Sequence, residues 1–347
     1  MELENRIEEF LLERGALKVG FATLETLAGG PPSSDLTCIM PNARSAVSFA
    51  LPLDREKIRA YLSKLDHAAH EKDNIEVNIR SSRLAKELAL WLEEQGHASR
   101  RVHSNLVYRQ EEPGWELLMH PDLSHRYVAA RSGVGSFGWS GNIGIKGYGT
   151  AILLGTTVTE AELEPTDPVP ADETFCDNCK LCASACASGL IEPRKETEVT
   201  LGGVNFTYSA KRNYMFCQFV CGGFTGLHKS RKWSTWSPGR YTIPEDEGEL
   251  FETFARAVGN YQRWPERKDD PGGYVNPALT ETTVRLTCGN CQVICWGDKE
   301  ATKENYRLLT SSGCVLQRED GTVEALPAGE AETAFESMSE EHQGLYR

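Results

Sequence analysis

The chain has 347 residues, enough to bury a substantial core as two domains or as one large domain with an appended module. Its formal charge of −13, from 50 acidic against 37 basic residues, argues against a broad polyphosphate footprint, and no apolar run approaches the roughly 20 residues of a membrane helix. Eleven cysteines with no basic and apolar leader ahead of them point to a reducing cytoplasm, where clustered thiols read as metal ligands rather than cross-links.

Taken in order, residues 2–14 place Leu3, Ile7, Phe10 and Leu11 on one helical face, with Gly15 at the C-cap. Leu17, Val19 and Phe21 alternate as in a strand, and Val47, Phe49 and Leu51 repeat the pattern after a turn. Leu84, Leu88, Trp91 and Leu92 return to helical spacing over residues 82–95, closed by Gly96. The segment before Ser132 reads as a helix and residues 150–158 as a strand. Alternating helices and strands thus predict an α/β or α+β domain over residues 1–160.

Residues 132–149 carry seven glycines. Glycine serves where backbone turns with positive φ or approaches something closely, so the stretch is either a ligand-hugging loop or a set of tight turns. Gly133, Gly135 and Gly138 spell GxGxxG with Glu160 downstream, but a dinucleotide site needs a strand before the glycines and a helix after them. Neither is predicted here. An acidic, proline-bearing linker follows from Glu160 to Thr174, then a cysteine module to about residue 300 and an acidic tail, residues 301–347.

The stretch FCDNCKLCASACASGLI carries the strongest signal, placing Cys176, Cys179, Cys182 and Cys186 at C-x2-C-x2-C-x3-C. Two-residue gaps let three thiolates wrap three corners of a four-iron cube, and in two-cluster modules the fourth cysteine serves the other cluster. That crossing requires a second incomplete set, present in TCGNCQVICWG as Cys288, Cys291 and Cys295. Cys295 then completes the first group. Cys186, Cys288 and Cys291 form the second, which lacks one ligand and can draw on Cys217 or Cys221. Zinc is the simpler alternative for thiols at two-residue gaps. Cys38 and Cys314 read as ordinary thiols. The basic stretch KSRKWSTWSPGRY, residues 229–241, reads as a local basic patch or a solvated loop.

With both cysteine runs, the glycine-rich ARSGVGSFGWSGNIGIKGYGTAILLG and the early MPNARSAVSFALPL, the chain resembles the cobalamin-dependent iron-sulfur reductases that include epoxyqueuosine reductase and the reductive dehalogenases. The resemblance spans residues 15–300. It implies an α+β fold: a nitroreductase-like, corrinoid-binding domain (1–160) and a ferredoxin-like domain (161–300) with two [4Fe-4S] clusters. It implies cobalamin near Gly133, Gly135, Gly138, Gly141, Asn142 and Gly149, and Cys217 as the isolated ligand of the second cluster. Electrons would come from a donor such as a ferredoxin or flavodoxin, and a small organic substrate would be dehalogenated or lose an epoxide oxygen. The alternatives are an epoxyqueuosine reductase acting on tRNA and a two-cluster electron carrier without corrinoid. The net charge and the 52 residues after Cys295 set tRNA behind the small molecule.

Departures from the family pattern are Ala187 and Trp296 where proline follows the last cysteine, and Met119 where its catalytic aspartate falls. His120 and Asp122 flank that position, so the expected proton donors are Asp122, His120 and Tyr148, with His125 and Tyr127 behind them.

Overall fold

The computed structural model of the protein describes residues 2–103, 107–244, 246–268, 272–275 and 283–347. A four-stranded sheet organises the first half, in the order Lys18–Thr23, Ser45–Pro52, Ile152–Thr159, Ser99–Arg101, each neighbouring pair antiparallel. Ser45–Pro52 is buried along all but its last residue. The alternating Val47, Phe49 and Leu51 mark only one of its two covered faces. The small Ala46, Ser48 and Ala50 make the other. Phe49 lies opposite Gly155, where an added Cβ would stand 2.2 Å from the ring.

Two adjacent threonines in Ile152–Thr159 hold a helix on each face. The Thr157 hydroxyl donates to the Ala85 carbonyl of the long helix Ala68–Glu94 at 2.9 Å, and the Ser81 hydroxyl of that helix donates to the Leu154 carbonyl at 3.1 Å. Thr156, pointing the opposite way, meets Nδ1 of His125 at 2.7 Å at the start of the helix His125–Arg131. The long helix starts well before the periodic residues 82–95. Its first half buries His70, Glu71 and Asp73, and polar residues at core positions hide the apolar period. Glu71 explains itself: its carboxylate accepts the Leu286 N–H at 2.6 Å and the Arg285 guanidinium at 3.4 Å, tying the helix to the chain just ahead of the second cysteine run.

The segment from Glu160 to Thr174 has no regular structure apart from a short turn at Ala171–Glu173, yet it is pinned. Thr166 exchanges hydrogen bonds with Phe21, N–H to carbonyl at 3.0 Å and hydroxyl from N–H at 2.9 Å, along the sheet edge. Beyond the first cysteine run, Ile191–Leu201 and Val204–Lys211 form an antiparallel ribbon turned by Gly202 and Gly203, both at positive φ. The tail folds as a helix Lys299–Ser311, a ribbon Cys314–Gln317 with Val323–Leu326, and helices Ala328–Glu336 and Glu340–Gly344. One apolar core contains Leu11, Phe49 and Leu88 together with Val293, Trp296, Leu309 and Val315. It therefore crosses the boundaries expected at 160 and 300. No helix among the described residues is long and apolar enough to cross a membrane.

Burial lowers the pKa of His125 to about 4 and that of His70 to about 4, from 6.5 for a free imidazole. Both are neutral in the fold, so the stability they carry is complete above pH 6.5 and is lost as pH falls from 6.5 towards 4, at most about 1.4 kcal/mol per pH unit each. Denaturant midpoints should drop from pH 7 to pH 5, and His125→Gln should flatten that slope; an unchanged slope in the variant would contradict the assignment.

Candidate metal centre

The first cysteine run wraps tightly because two of its residues take left-handed backbone. Asn178 and Lys180 have φ of 56° and 58°, and a single helical turn, Leu181–Ser184, follows. Cys182 is buried inside that turn. Trp139, from the glycine-rich stretch, covers the loop. Its N–H donates to Cys176 Sγ at 3.3 Å, its indole N–H to the Glu192 carbonyl at 3.2 Å, and Lys180 Nζ lies 3.9 Å from its ring centroid.

The second run is fixed mostly through backbone. Gly289 at φ 116° opens the turn Asn290–Val293, and Gly297 at φ 69° closes the run. The Cys295 carbonyl accepts the Thr150 N–H at 2.9 Å, and the Gln292 side chain donates to the Ile152 carbonyl at 2.8 Å, where the central strand begins. From the tail, Asn305 donates to the Ile294 carbonyl at 3.1 Å. The Tyr61 hydroxyl reaches the Leu286 and Cys288 carbonyls at 3.2 and 3.3 Å.

These fixtures bring the thiols into two groups. Cys182 sits within electrostatic range of Cys291, where the two groups adjoin, and of Cys176, Cys295 and Cys179, and Cys295 of Cys176. Cys217 sits within range of Cys186, Cys288 and Cys291. The seven-residue helix Met215–Cys221 presents Cys217 and Cys221 one turn apart with their sulfurs 3.3 Å from each other, and Cys221 also meets Cys288. Both cysteines thus face the second group. Burial is the main cause that pushes Cys182 and Cys291 up to about 12 and Cys179 up to about 11, and neighbouring thiols add to it. Without a cation these sites keep their protons. Among the described residues no three His, Cys, Asp or Glu side chains converge on a single-ion point. A tetrahedral zinc site would need its sulfurs roughly 2.3 Å from one centre.

Polar groups outside the cysteine runs also point at the thiols. Asn142 Nδ2 approaches Cys291 Sγ at 3.8 Å, and Ser188 Oγ lies 3.3 Å from Cys186 Sγ. Lys211, at the end of the ribbon, is half-buried within range of Cys291, Cys182 and Cys186, and desolvation lowers its pKa. Sequence reasoning missed Lys211 because the ribbon that carries it has no clear apolar alternation.

The glycines approach the chain itself. A Cβ at Gly133 would lie 2.1 Å from the Asp167 carbonyl oxygen, at Gly135 2.6 Å from that of Gly144, and at Gly138 2.7 Å from the Phe175 ring. At Gly149 it would lie 2.2 Å from the Cys295 carbonyl oxygen. Gly141 is the looser case, 3.1 Å from Tyr208 and 3.3 Å from Lys211 Nζ. The space beside Gly133, Gly135, Gly138 and Gly149 is therefore filled by protein, which accounts for these glycines by internal packing. GxGxxG follows a helix here, not a strand.

The expected proton donors do not gather in one place. His120 is exposed, with Nδ1 2.8 Å from Glu112. Asp122 is half-buried, accepts the Leu123 N–H at 2.8 Å, and has its pKa raised by burial, with His103 and Arg109 opposing. Tyr148 is exposed, its ring 5.6 Å from the Arg55 guanidinium on the far side of the glycine-rich stretch. His125 is spent on Thr156. Tyr127 contacts Tyr208, and Tyr214 lies within range of Cys217, Cys221, Tyr108 and Arg126, so one tyrosine, Tyr214, borders the second thiol group. Spacing along the chain gives no hint of that placement.

No family model matches the chain. A curated epoxyqueuosine reductase from Gloeobacter violaceus is 26% identical over 182 residues, 52% of this chain and 51% of that protein. Over that stretch the chain is similar to an epoxyqueuosine reductase. It spans about half the length of the curated relative it matches. Among solved structures, an epoxyqueuosine reductase from Bacillus subtilis is similar at 18% identity and a TM-score of 0.39, over 65% of this chain and 58% of that one. A B12-dependent reductive dehalogenase gives 16% and 0.46, over 62% and 28%. An epoxyqueuosine reductase with a tRNA stem loop gives 17% and 0.41, over 88% and 80%.

Gly149→Ala tests the seat of the second run. With φ of 61° and backbone of residues 295–297 within 2.5 Å of the added methyl, it should cost about 2–4 kcal/mol. Thermal unfolding checks this, with Gly147→Ala, where nothing stands within 4 Å, as the milder control.

Proposed function

We propose that the protein is a reductase carrying two [4Fe-4S] clusters and a corrinoid. Cys176, Cys179, Cys182 and Cys295 would hold one cluster. Cys186, Cys288, Cys291 and Cys217 would hold the other, with Cys221 the alternative to Cys217. The observation that carries the reading is the thiol grouping: chain segments more than a hundred residues apart return Cys295 to the first group and give Cys186 to the second. Eight thiols with two N–H groups turned towards their sulfurs suit a cluster, whose potential depends on such hydrogen bonds. When bound, the clusters supply single-electron transfer from a ferredoxin or flavodoxin, and the corrinoid supplies the reducing centre for the substrate.

The chain's own contributions follow from position. Trp139 N–H and the Asn142 amide offset negative charge on Cys176 and Cys291, and Lys211 adds a positive charge beside both groups. Asp122, its carboxyl proton held more tightly through burial, is the best placed of the expected acids to deliver a proton. The corrinoid reading is supported by sequence similarity and by Tyr214 beside the second group; the glycines first expected to cradle it are taken up by packing.

The substrate is a small halogenated or epoxide-bearing molecule or, equally, an epoxyqueuosine-bearing tRNA. Ranking tRNA second on net charge does not stand, since the curated relative is an epoxyqueuosine reductase and one similar structure holds a tRNA stem loop. In the basic stretch Trp233 and Trp236 are buried, stacked on His228 and bonded to the Tyr61 carbonyl, so RNA affinity there would rest on Lys229, Arg231 and Lys232.

Metal analysis of anaerobically reconstituted protein, with and without hydroxocobalamin, tests this. About eight iron and one retained cobalt per chain are expected. Zinc in place of iron sinks the cluster assignment, and iron without cobalt leaves an electron carrier. Cys295→Ala should lose about half the iron, and a parallel loss in only one of Cys217→Ala and Cys221→Ala identifies the eighth ligand. A salt-sensitive affinity for a tRNA stem loop selects the RNA substrate.

A further inference from the structure

A cavity of about 300 Å³ lies away from the thiols, between the basic stretch, the helix Glu247–Tyr261 and the helix Ala328–Glu336. Arg231, Arg240, Arg256 and Arg347 line it, and Glu332 is the one acidic side chain among the lining residues. That single carboxylate is shared, accepting from Arg231 at 2.8 Å and from Arg240 at 3.1 Å. Arg256 stands 5.6 Å from the Tyr241 ring and Arg347 5.5 Å from the Phe335 ring, so aromatic faces, not acids, back these two.

Arg240 is the sharpest observation. Its side chain is 7% exposed, Nη2 reaches the Ala331 carbonyl only at 3.5 Å, and the buried Nε–H has no hydrogen-bond partner in the protein. A buried guanidinium donor left unmatched is costly, and four like charges around one carboxylate repel each other. In a chain of net charge −13 this is a local excess of three positive side chains. Planar guanidinium forks match the oxygen pairs of phosphate.

We propose that this cavity is a binding site for a small phosphate-bearing molecule, the oxyanion seated among Arg231, Arg240 and Arg256. A volume near 300 Å³ is at the lower end for ligand pockets and suits a phosphorylated metabolite-sized molecule rather than a dinucleotide. The site stands independently of any cofactor. Tyr241 links it to the rest: its ring packs 6.2 Å from Phe219, in the helix that carries Cys217 and Cys221.

Calorimetric titration of the full chain with inorganic phosphate and with pyrophosphate, at ionic strength fixed by potassium chloride, tests the proposal. Saturable binding is expected, weakened at least tenfold in Arg256→Gln and in Arg231→Gln, both exposed positions that leave the core intact. Glu332→Gln, which removes the competing carboxylate, should tighten binding. Heat no larger than the chloride control, or an affinity unchanged in both arginine variants, overturns the site. An RNA stem loop that binds through these arginines while pyrophosphate does not also overturns it, and reassigns them to a polynucleotide backbone.

Discussion

Of the hydrogen bonds that join the two halves of this protein, the backbone one from the Thr150 N–H to the Cys295 carbonyl sits where the sheet meets the second cysteine run. It forms at the point where the glycine-rich stretch becomes the central strand. The residue before it is a glycine because a methyl there would overlap the main chain of residues 295–297. From this joint the strand Ile152–Thr159 runs into the sheet, holding a helix on each face through Thr156 and Thr157, while Cys295 is carried to the thiols of the first run. Loosening it would move the loop that carries Cys295 and the sheet together.

The thiols impose a second constraint. Burial and mutual proximity disfavour their ionised form. The surrounding hydrogen bonds do not depend on a cation. Glu71, Tyr61 and Asn305 grip main-chain groups of the second run or just ahead of it, and Gln292 of that run grips the Ile152 carbonyl of the sheet. Loop positions are thus set by residues that never touch a thiol.

Much of this was legible in the sequence where chemistry has a strict spacing. The two cysteine runs announced each other because a cube needs four thiolates and the first run leaves one for elsewhere. The strands around Val19, Phe49 and Leu154 and the helix ending at Gly96 followed from apolar period. What could not be read had physical causes. The first half of the long helix is disguised by buried His70, Glu71 and Asp73. The ribbon ending at Lys211 is polar on much of both faces. The glycines were legible as close approaches but not as to what they approach, since a missing Cβ looks the same beside a ligand as beside Phe175. The spacing rule for a catalytic aspartate, landing on Met119, left only neighbours, and those neighbours turned out scattered.

The apolar core that holds Leu88 beside Val293 and Leu309 has a consequence for how such a protein can change over time. A cysteine module sharing its interior with a sheet cannot be exchanged for another as a cassette. Each substitution on one side must be answered across the shared interior, so the cysteine module and the sheet change as one package, and variety is left to the outer loops.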